Sequence, residues 1–274
     1  MKTDLIYGVE DRPPFKDAIF AALQHLLAIF VAIITPPLII AGALKLDVEK
    51  TSFLVSMSLF VSGISTFIQC KRFGPFGARL LCIQGTSFSF IGPIITTGLM
   101  GGLPLIFGVC MAAAPVEMVI SRTFRYMRNI ITPLVSGIVV LLIGLSLIKV
   151  GVVSCGGGYG AMDNGTFGSW ENLSIAGLVL LSVLFFNRSK NKYLRMSSIV
   201  LGICLGYGLA FALGKVDMSS LNLNLLTSFN IPMPFKYGLD FNISSFIAIG
   251  LVYLITAIEA TGDVTANSMI FGLD

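Results

Sequence analysis

Residues 131–148, ITPLVSGIVVLLIGLSLI, contain no charged side chain. A helix rises about 1.5 Å per residue, so about 20 such residues cross the ~30 Å hydrocarbon core of a bilayer. Similar runs recur along the chain, giving eight hydrophobic segments near 17–40, 52–69, 80–97, 102–121, 130–150, 173–187, 197–214 and 243–262 or beyond. In lipid, each backbone N–H and C=O must find its partner within the protein, which for runs of this length means helix. Only 12% of the residues are charged, about half the roughly 25% of soluble domains. The sequence therefore predicts an all-α polytopic membrane protein.

Loop charge orients it. Lys2, Arg12, Lys16, Lys71, Arg72, Arg79, Arg122, Arg125, Arg128, Arg188, Lys190, Lys192 and Arg195 lie in the N-terminal arm or in alternate loops. Lys45, Lys50, Lys149, Lys215 and Lys236 lie in the others, and together the two sets account for all 18 basic residues. Basic loops stay cytoplasmic, so the N-terminus is expected inside. The net charge of +4 is thus a topology signal and no sign of nucleic-acid binding. Residues 1–16 are polar and of mixed charge, without the apolar stretch of a cleavable signal peptide. They read as a cytoplasmic arm.

Not every segment is a plain helix. The third, ARLLCIQGTSFSFIGPII, holds Gln84, Gly85, Thr86, Ser87 and Ser89, followed by Gly92-Pro93. Such a crossing is expected to be broken, with irregular backbone tolerated because protein satisfies it. Broken helices are a frequent device at transporter substrate sites; a kinked, continuous helix is the alternative. Thr35-Pro36-Pro37 should bend the first segment. Gly202 and Gly206 in the seventh suit close helix approach. The outer connectors 151–171 and 215–242 are rich in Gly, Asn, Asp and Pro and read as flexible.

Ionisable side chains within a span are costly and mark function by default. His25, the chain's single histidine, lies roughly 15 Å into the first segment beside Gln24. It fits either a packed, neutral interhelical partner or a residue organising a site. Glu117, five positions before Arg122, is expected to form an interfacial ion pair with it. Glu259 and Asp263 share one helix face at i and i+4, and the nearest basic residue before them is Lys236. Two carboxylates on one desolvated face suit proton binding, unless the helix ends at Glu259 and the pair faces the cytoplasm. GGGYGA (156–161) imitates a dinucleotide-binding turn but lacks the strand and helix that motif requires. Cys70, Cys82, Cys110, Cys155 and Cys204 have no metal-ligand spacing, and no hydrolase or zinc-protease motif occurs. No metal, no cofactor and no enzymatic activity are expected.

The strings EDRPPF (10–15), QHLLAIFVAIITP (24–36), IQGTSFSF (83–90), ITPLVSGIVVLLIGLSLIKVG (131–151), GGGYGAMDNGTFG (156–168) and IEATGDVTA (258–266) resemble bacterial xanthine permeases of the nucleobase–ascorbate transporter family. That resemblance implies fourteen segments in two inverted repeats of seven, divided between a core and a gate domain. Residues 17–121 would supply core segments one to four and 130–214 gate segments five to seven, while 243–274 would begin the second repeat. It implies proton-coupled uptake of a purine, xanthine first and uric acid second, across the inner membrane of a bacterium, by alternating access. Glu259 would bind purine N–H groups, Asp263 would serve coupling together with Glu259, and His25 would organise the site. Ser87, Phe88 and Gln84 would line it from the third segment, with Ser87 tuning specificity and Phe88 packing on the ring. The resemblance also implies a homodimer formed through the gate domains.

The family's tenth-segment glutamine and ninth-segment acid have no counterpart before Asp274. The expectation is a fragment of a longer transporter, or a truncated, non-transporting membrane protein. An anion transporter of the same fold is the other alternative, although two acids in its site would repel such a substrate. The topology is open to direct test. A reporter fused after Lys190 should fluoresce as a cytoplasmic protein, and phosphatase fused after Gly165 should be active outside; the reverse pattern would contradict the assigned orientation.

Overall fold

The computed structural model describes residues 11–127, 133–191, 194–195, 197–216, 233 and 235–270. Several expectations lie outside those residues: the arm before Asp11, the start of the fifth segment with Arg128, Lys192, connector residues 217–232 and 234, and 271–274. The helices are α1 (Phe15–Ala43), α2 (Val48–Lys71), α3 (Ile91–Met127), α4 (Pro133–Cys155), α5 (Gly158–Asp163), α6 (Trp170–Asn187), α7 (Ser198–Ala212) and α8 (Ile243–Ile270), with a 3-10 turn at Phe88–Phe90. Among the described residues the sole strand-like feature is one isolated bridge, Phe73 to Phe76.

Among the described residues, four stretches are long and apolar enough to cross a membrane: Val48–Lys71, Phe88–Thr123, Trp170–Asn187 and Ile243–Val264. The chain is an all-α, multi-pass membrane protein. At 36 residues the second stretch would measure about 54 Å as one helix, far beyond a single crossing. Its backbone in fact leaves the helix at Gly101 (φ −151°, ψ 17°) and Gly102 (φ 68°, ψ −160°). A φ of 68° is open to glycine at little cost. A two-glycine hinge therefore splits α3 into residues 91–100 and 103–127.

The chain divides into two compact units. One comprises Met1–Pro14, Ala32–Leu147 and Met233–Asp274. Its core is the seam where α8 lies along the second half of α3. Leu105, Val109 and Ala113, one turn apart on α3, are buried with Ile249 of α8, and Phe90, Cys110, Phe246 and Tyr253 close around them. The two helices run in the same direction. Asp240 N–H donates to Pro104 O at 2.9 Å near the start of both, and Tyr253 Oη donates to Cys110 O at 3.3 Å further along. Gly108 is required here, because a Cβ at that position would collide with the backbone of Asp240. Asn242 caps α8 by accepting from Ser244 N–H (2.9 Å) and Ser245 N–H (3.2 Å). Just upstream, Lys236 pairs with Glu49 at 2.8 Å and lies over the rings of Phe53 and Tyr237. The Glu49 hydrogen bond raises the lysine's pKa above its ordinary range; the pair is exposed and contributes little by itself.

The other unit comprises Phe15–Val31 and Ile148–Pro232. Here α6 packs on α7, and Gly202 and Gly206 face Val179 and Val183 with no room for a Cβ. The connector 151–171, expected to be flexible, is instead built structure. It holds the end of α4 and all of α5, and Asn172 Nδ2 donates to Gly156 O (2.9 Å) and Thr166 O (3.1 Å). Lys215 then pairs with Glu171 at 2.8 Å. Its glycines serve the turns, with φ values of 111° at Gly157 and 69° at Gly165.

The expected Glu117–Arg122 ion pair is absent among the described residues. Five helical positions at about 100° each place the two side chains some 140° apart around the axis, and α3 continues unbroken past both to Met127. Glu117 is half-buried. The seam yields a clear expectation: Gly108→Ala should destabilise the protein by about 1–3 kcal/mol through overpacking. Thermal melting in detergent should fall by several degrees, while Gly63→Ala, where a Cβ meets nothing, should not change it. Equal melting of the two variants would contradict the packing described.

Candidate functional site

Residues 81–87 form neither helix nor strand between α2 and the 3-10 turn, so their backbone groups need partners other than helical ones. Thr66 and Ser62 of α2, one turn apart, supply them. Gln84 N–H donates to Thr66 Oγ1 at 2.9 Å, and Gln84 O accepts from Thr66 Oγ1 at 3.4 Å and from Ser62 Oγ. Ser62 is buried. From the far end of α8, Asn267 Nδ2 donates to Leu81 O at 3.1 Å.

Thr86 meets α1 through a complementary defect. Pro36 and Pro37 lie inside α1, and proline has no N–H to give the carbonyl four residues earlier. The carbonyls so released are those of Ala32 and Ile33. Thr86 Oγ1 is placed to donate to both, at 3.3 Å and 3.0 Å. The proline pair of α1 and the break in the third segment therefore satisfy each other.

The expected site residues fall as follows. Gln84 holds its place mainly through its backbone; its side-chain amide reaches Cys82 O at 3.5 Å. Ser87 caps the 3-10 turn, accepting from Ser89 N–H at 3.3 Å, and Phe88 begins that turn, half-buried. The ring that meets α8 is Phe90, edge-on to Tyr253 with centroids 4.9 Å apart. Helix α8 does not end at Glu259 but runs on to Ile270, so both carboxylates are mid-helix. Glu259 is half-buried, and its Oε2 is buried without a hydrogen-bond partner. Asp263 is exposed one turn later. His25 is exposed in the portion of α1 that belongs to the other unit, so its expected role rests on the resemblance alone.

Ser89 Oγ is the second polar atom of this region that is buried without a partner. It sits on the 3-10 turn, which packs against α8, the helix that carries Glu259. Buried polar atoms in native proteins are nearly always paired. A carboxylate oxygen that only accepts and a hydroxyl that can do either, on two elements in contact, suit a polar ligand bearing N–H and C=O groups. Sequence reasoning did not single out Ser62, Thr66 or Asn267, and took Ser89 only as one of the polar residues that break the third segment. The spacing of Ser62 and Thr66 within an otherwise apolar helix was a legible signal; the orphaned state of Ser89 was not.

Residues 16–274 match the family model Xan_ur_permease, described as "Permease family". The chain is 47% identical over 277 residues to the xanthine permease XanP of Escherichia coli K12 and 46% identical over 281 residues to XanQ of the same strain. These alignments cover 97% and 98% of the chain and 59% of each relative. The nucleobase transporter PlUacP of Paenibacillus larvae is 35% identical over 241 residues, covering 87% of the chain and 54% of that protein. The chain thus spans about three fifths of the length of its E. coli relatives.

Thr86→Val should destabilise the protein by about 0.6–2 kcal/mol, the range for interhelical hydrogen bonds in membranes. In a Pro36→Ala/Pro37→Ala background, helical N–H groups can serve the two carbonyls, so the cost should shrink. A double-mutant cycle read by thermal melting that shows no coupling would contradict the arrangement.

Proposed function

The chain belongs to this permease family, and on that premise we propose that it serves the proton-coupled uptake of a purine nucleobase, xanthine before uric acid. The reading is supported most by one observation: Glu259, mid-helix in α8, keeps a buried carboxylate oxygen without a protein partner. Relatives at 46–47% identity are named xanthine permeases. A xanthine ring offers N–H donors along one edge, and a carboxylate accepts two of them in charge-assisted bonds, the stronger kind. In this proposal Glu259 takes that edge. Ser87, Phe88 and Gln84, from the broken third segment, bound the ring, and His25 helps organise the site.

Asp263 serves coupling. Two carboxylates one turn apart in a region of low dielectric bring a charge that a co-transported proton offsets, so binding of H+ and of purine would be linked. The proposal includes a cytoplasmic N-terminus, the seven-plus-seven inverted repeat with its core and gate domains, and a homodimer in the bacterial inner membrane. No cofactor is needed beyond the proton.

Radiolabelled xanthine uptake decides it, measured with the gene in its natural reading frame in cells lacking other purine permeases. Xanthine should accumulate, and acidifying the medium should speed it. Glu259→Gln should reduce uptake by about 100-fold or more, as expected when a charge-assisted hydrogen bond to a buried group is lost, at an unchanged membrane level. Uptake of neither xanthine, urate nor another nucleobase would overturn the assignment; full activity of Glu259→Gln would overturn its role.

A further inference from the structure

The segment that joins α2 to the irregular stretch, KRFGPFGAR (71–79), takes no part in the proposed site, yet it is built with care. Phe73 and Phe76 form a closed hairpin with both backbone hydrogen bonds, at 2.9 Å and 3.1 Å. Arg72 (φ 56°) and Arg79 (φ 60°) hold left-handed backbone conformations that non-glycine residues seldom adopt. The hairpin is folded back onto α2. Arg79 N–H donates to Gln69 O at 3.1 Å, and Gly77 approaches Ile68 O too closely for any side chain. The result is a small, rigid knob at the end of a membrane-spanning helix.

The knob presents two kinds of surface. Phe67, Phe73 and Phe76 are 56%, 48% and 61% exposed, and the rings of Phe67 and Phe73 touch at 5.8 Å between centroids. Beside them, Lys71, Arg72 and Arg79 are all exposed. None of the three meets a carboxylate among the described residues. Lys71 lies over the Phe67 ring at 5.5 Å, and Arg72 Nε reaches only Gly74 O. Lys50, Lys215 and Lys236, by contrast, are each paired with an acid at 2.6–2.8 Å. Three unpaired cations next to exposed aromatic rings, at the mouth of a membrane span, complement an anionic surface with an apolar layer beneath it. Basic side chains with Phe beside them are the pattern of groups that lie in the bilayer interface.

We propose that the 71–79 hairpin is a binding site for anionic phospholipid headgroups, with Lys71, Arg72 and Arg79 on the phosphate and the three phenylalanines in the upper acyl region. Loop charge places this end at the cytoplasmic leaflet, where anionic lipid is concentrated. The irregular stretch with Gln84 and Ser87 begins two positions after Arg79, so lipid bound here would steady one end of it. The inference does not depend on the transported substrate.

The test is lipid retention on the purified full-length protein, read by native mass spectrometry after reconstitution with equal phosphatidylglycerol and phosphatidylcholine. Phosphatidylglycerol should be retained preferentially. The K71Q/R72Q/R79Q variant should retain it less by on the order of ten-fold or more, F73S/F76S should retain it less than the unmodified protein, and K50Q should match the unmodified protein. High salt should strip the lipid from the unmodified protein, a reading that stands even if the triple variant fails to insert. Inorganic phosphate should not displace it. Equal retention of both lipids, unchanged retention in an inserted triple variant, indifference to salt, or displacement by free phosphate would each overturn the proposal.

Discussion

Seven residues of irregular backbone inside a membrane protein set the terms for the rest of this fold. Residues 81–87 cannot satisfy their own N–H and C=O groups as a helix does, and hydrocarbon offers none. The chain answers with side chains drawn from two helices, and lends one of its own to a third. Ser62 and Thr66 of α2 serve Gln84, Thr86 serves the carbonyls that Pro36 and Pro37 release in α1, and Asn267 of α8 reaches Leu81. Each element on its own carries a defect or a stranded polar group. Together they anchor the stretch at Leu81, Gln84 and Thr86, just before the 3-10 turn.

The α3–α8 seam then fixes the depth and rotation of the helix that bears the acids. Leu105, Val109 and Ala113 grip Ile249, Gly108 lets the chain before α8 approach, and Tyr253 stands between Phe90 and Cys110. With α8 so held, Glu259 is not at a helix end, and among the described residues no basic side chain pairs with it. The helix is rigid on its packed face, and two of the buried polar atoms left without partners, Glu259 Oε2 and Ser89 Oγ, belong to the two elements that meet beside that face. Fixed polar groups of this kind bind a ligand without further ordering cost.

Much of this was legible in the sequence because lipid constrains it so tightly. Apolar runs give helices, and polar residues with Gly and Pro inside one run, as in IQGTSFSFIGP, signal a break. The Glu259/Asp263 spacing was equally readable. Three matters were not. The Glu117–Arg122 pairing failed on helical phase, which proximity in sequence conceals. The connector 151–171 looked loose by composition, yet its glycines make turns that Asn172 braces. The match between Thr86 and the carbonyls of Ala32 and Ile33 spans more than fifty residues, and no local pattern announces a partner that distant. His25 remains tied to the site by family resemblance, not by a contact.

At the centre stands the claim that a purine binds where the broken third segment meets α8. Alkylation of a cysteine placed at Ser87 tests it most directly, in a protein whose five native cysteines are replaced by serine. Xanthine should slow the reaction at position 87 and leave a cysteine placed at Gly63, on α2, unaffected. Identical alkylation of position 87 with and without saturating xanthine would contradict the account.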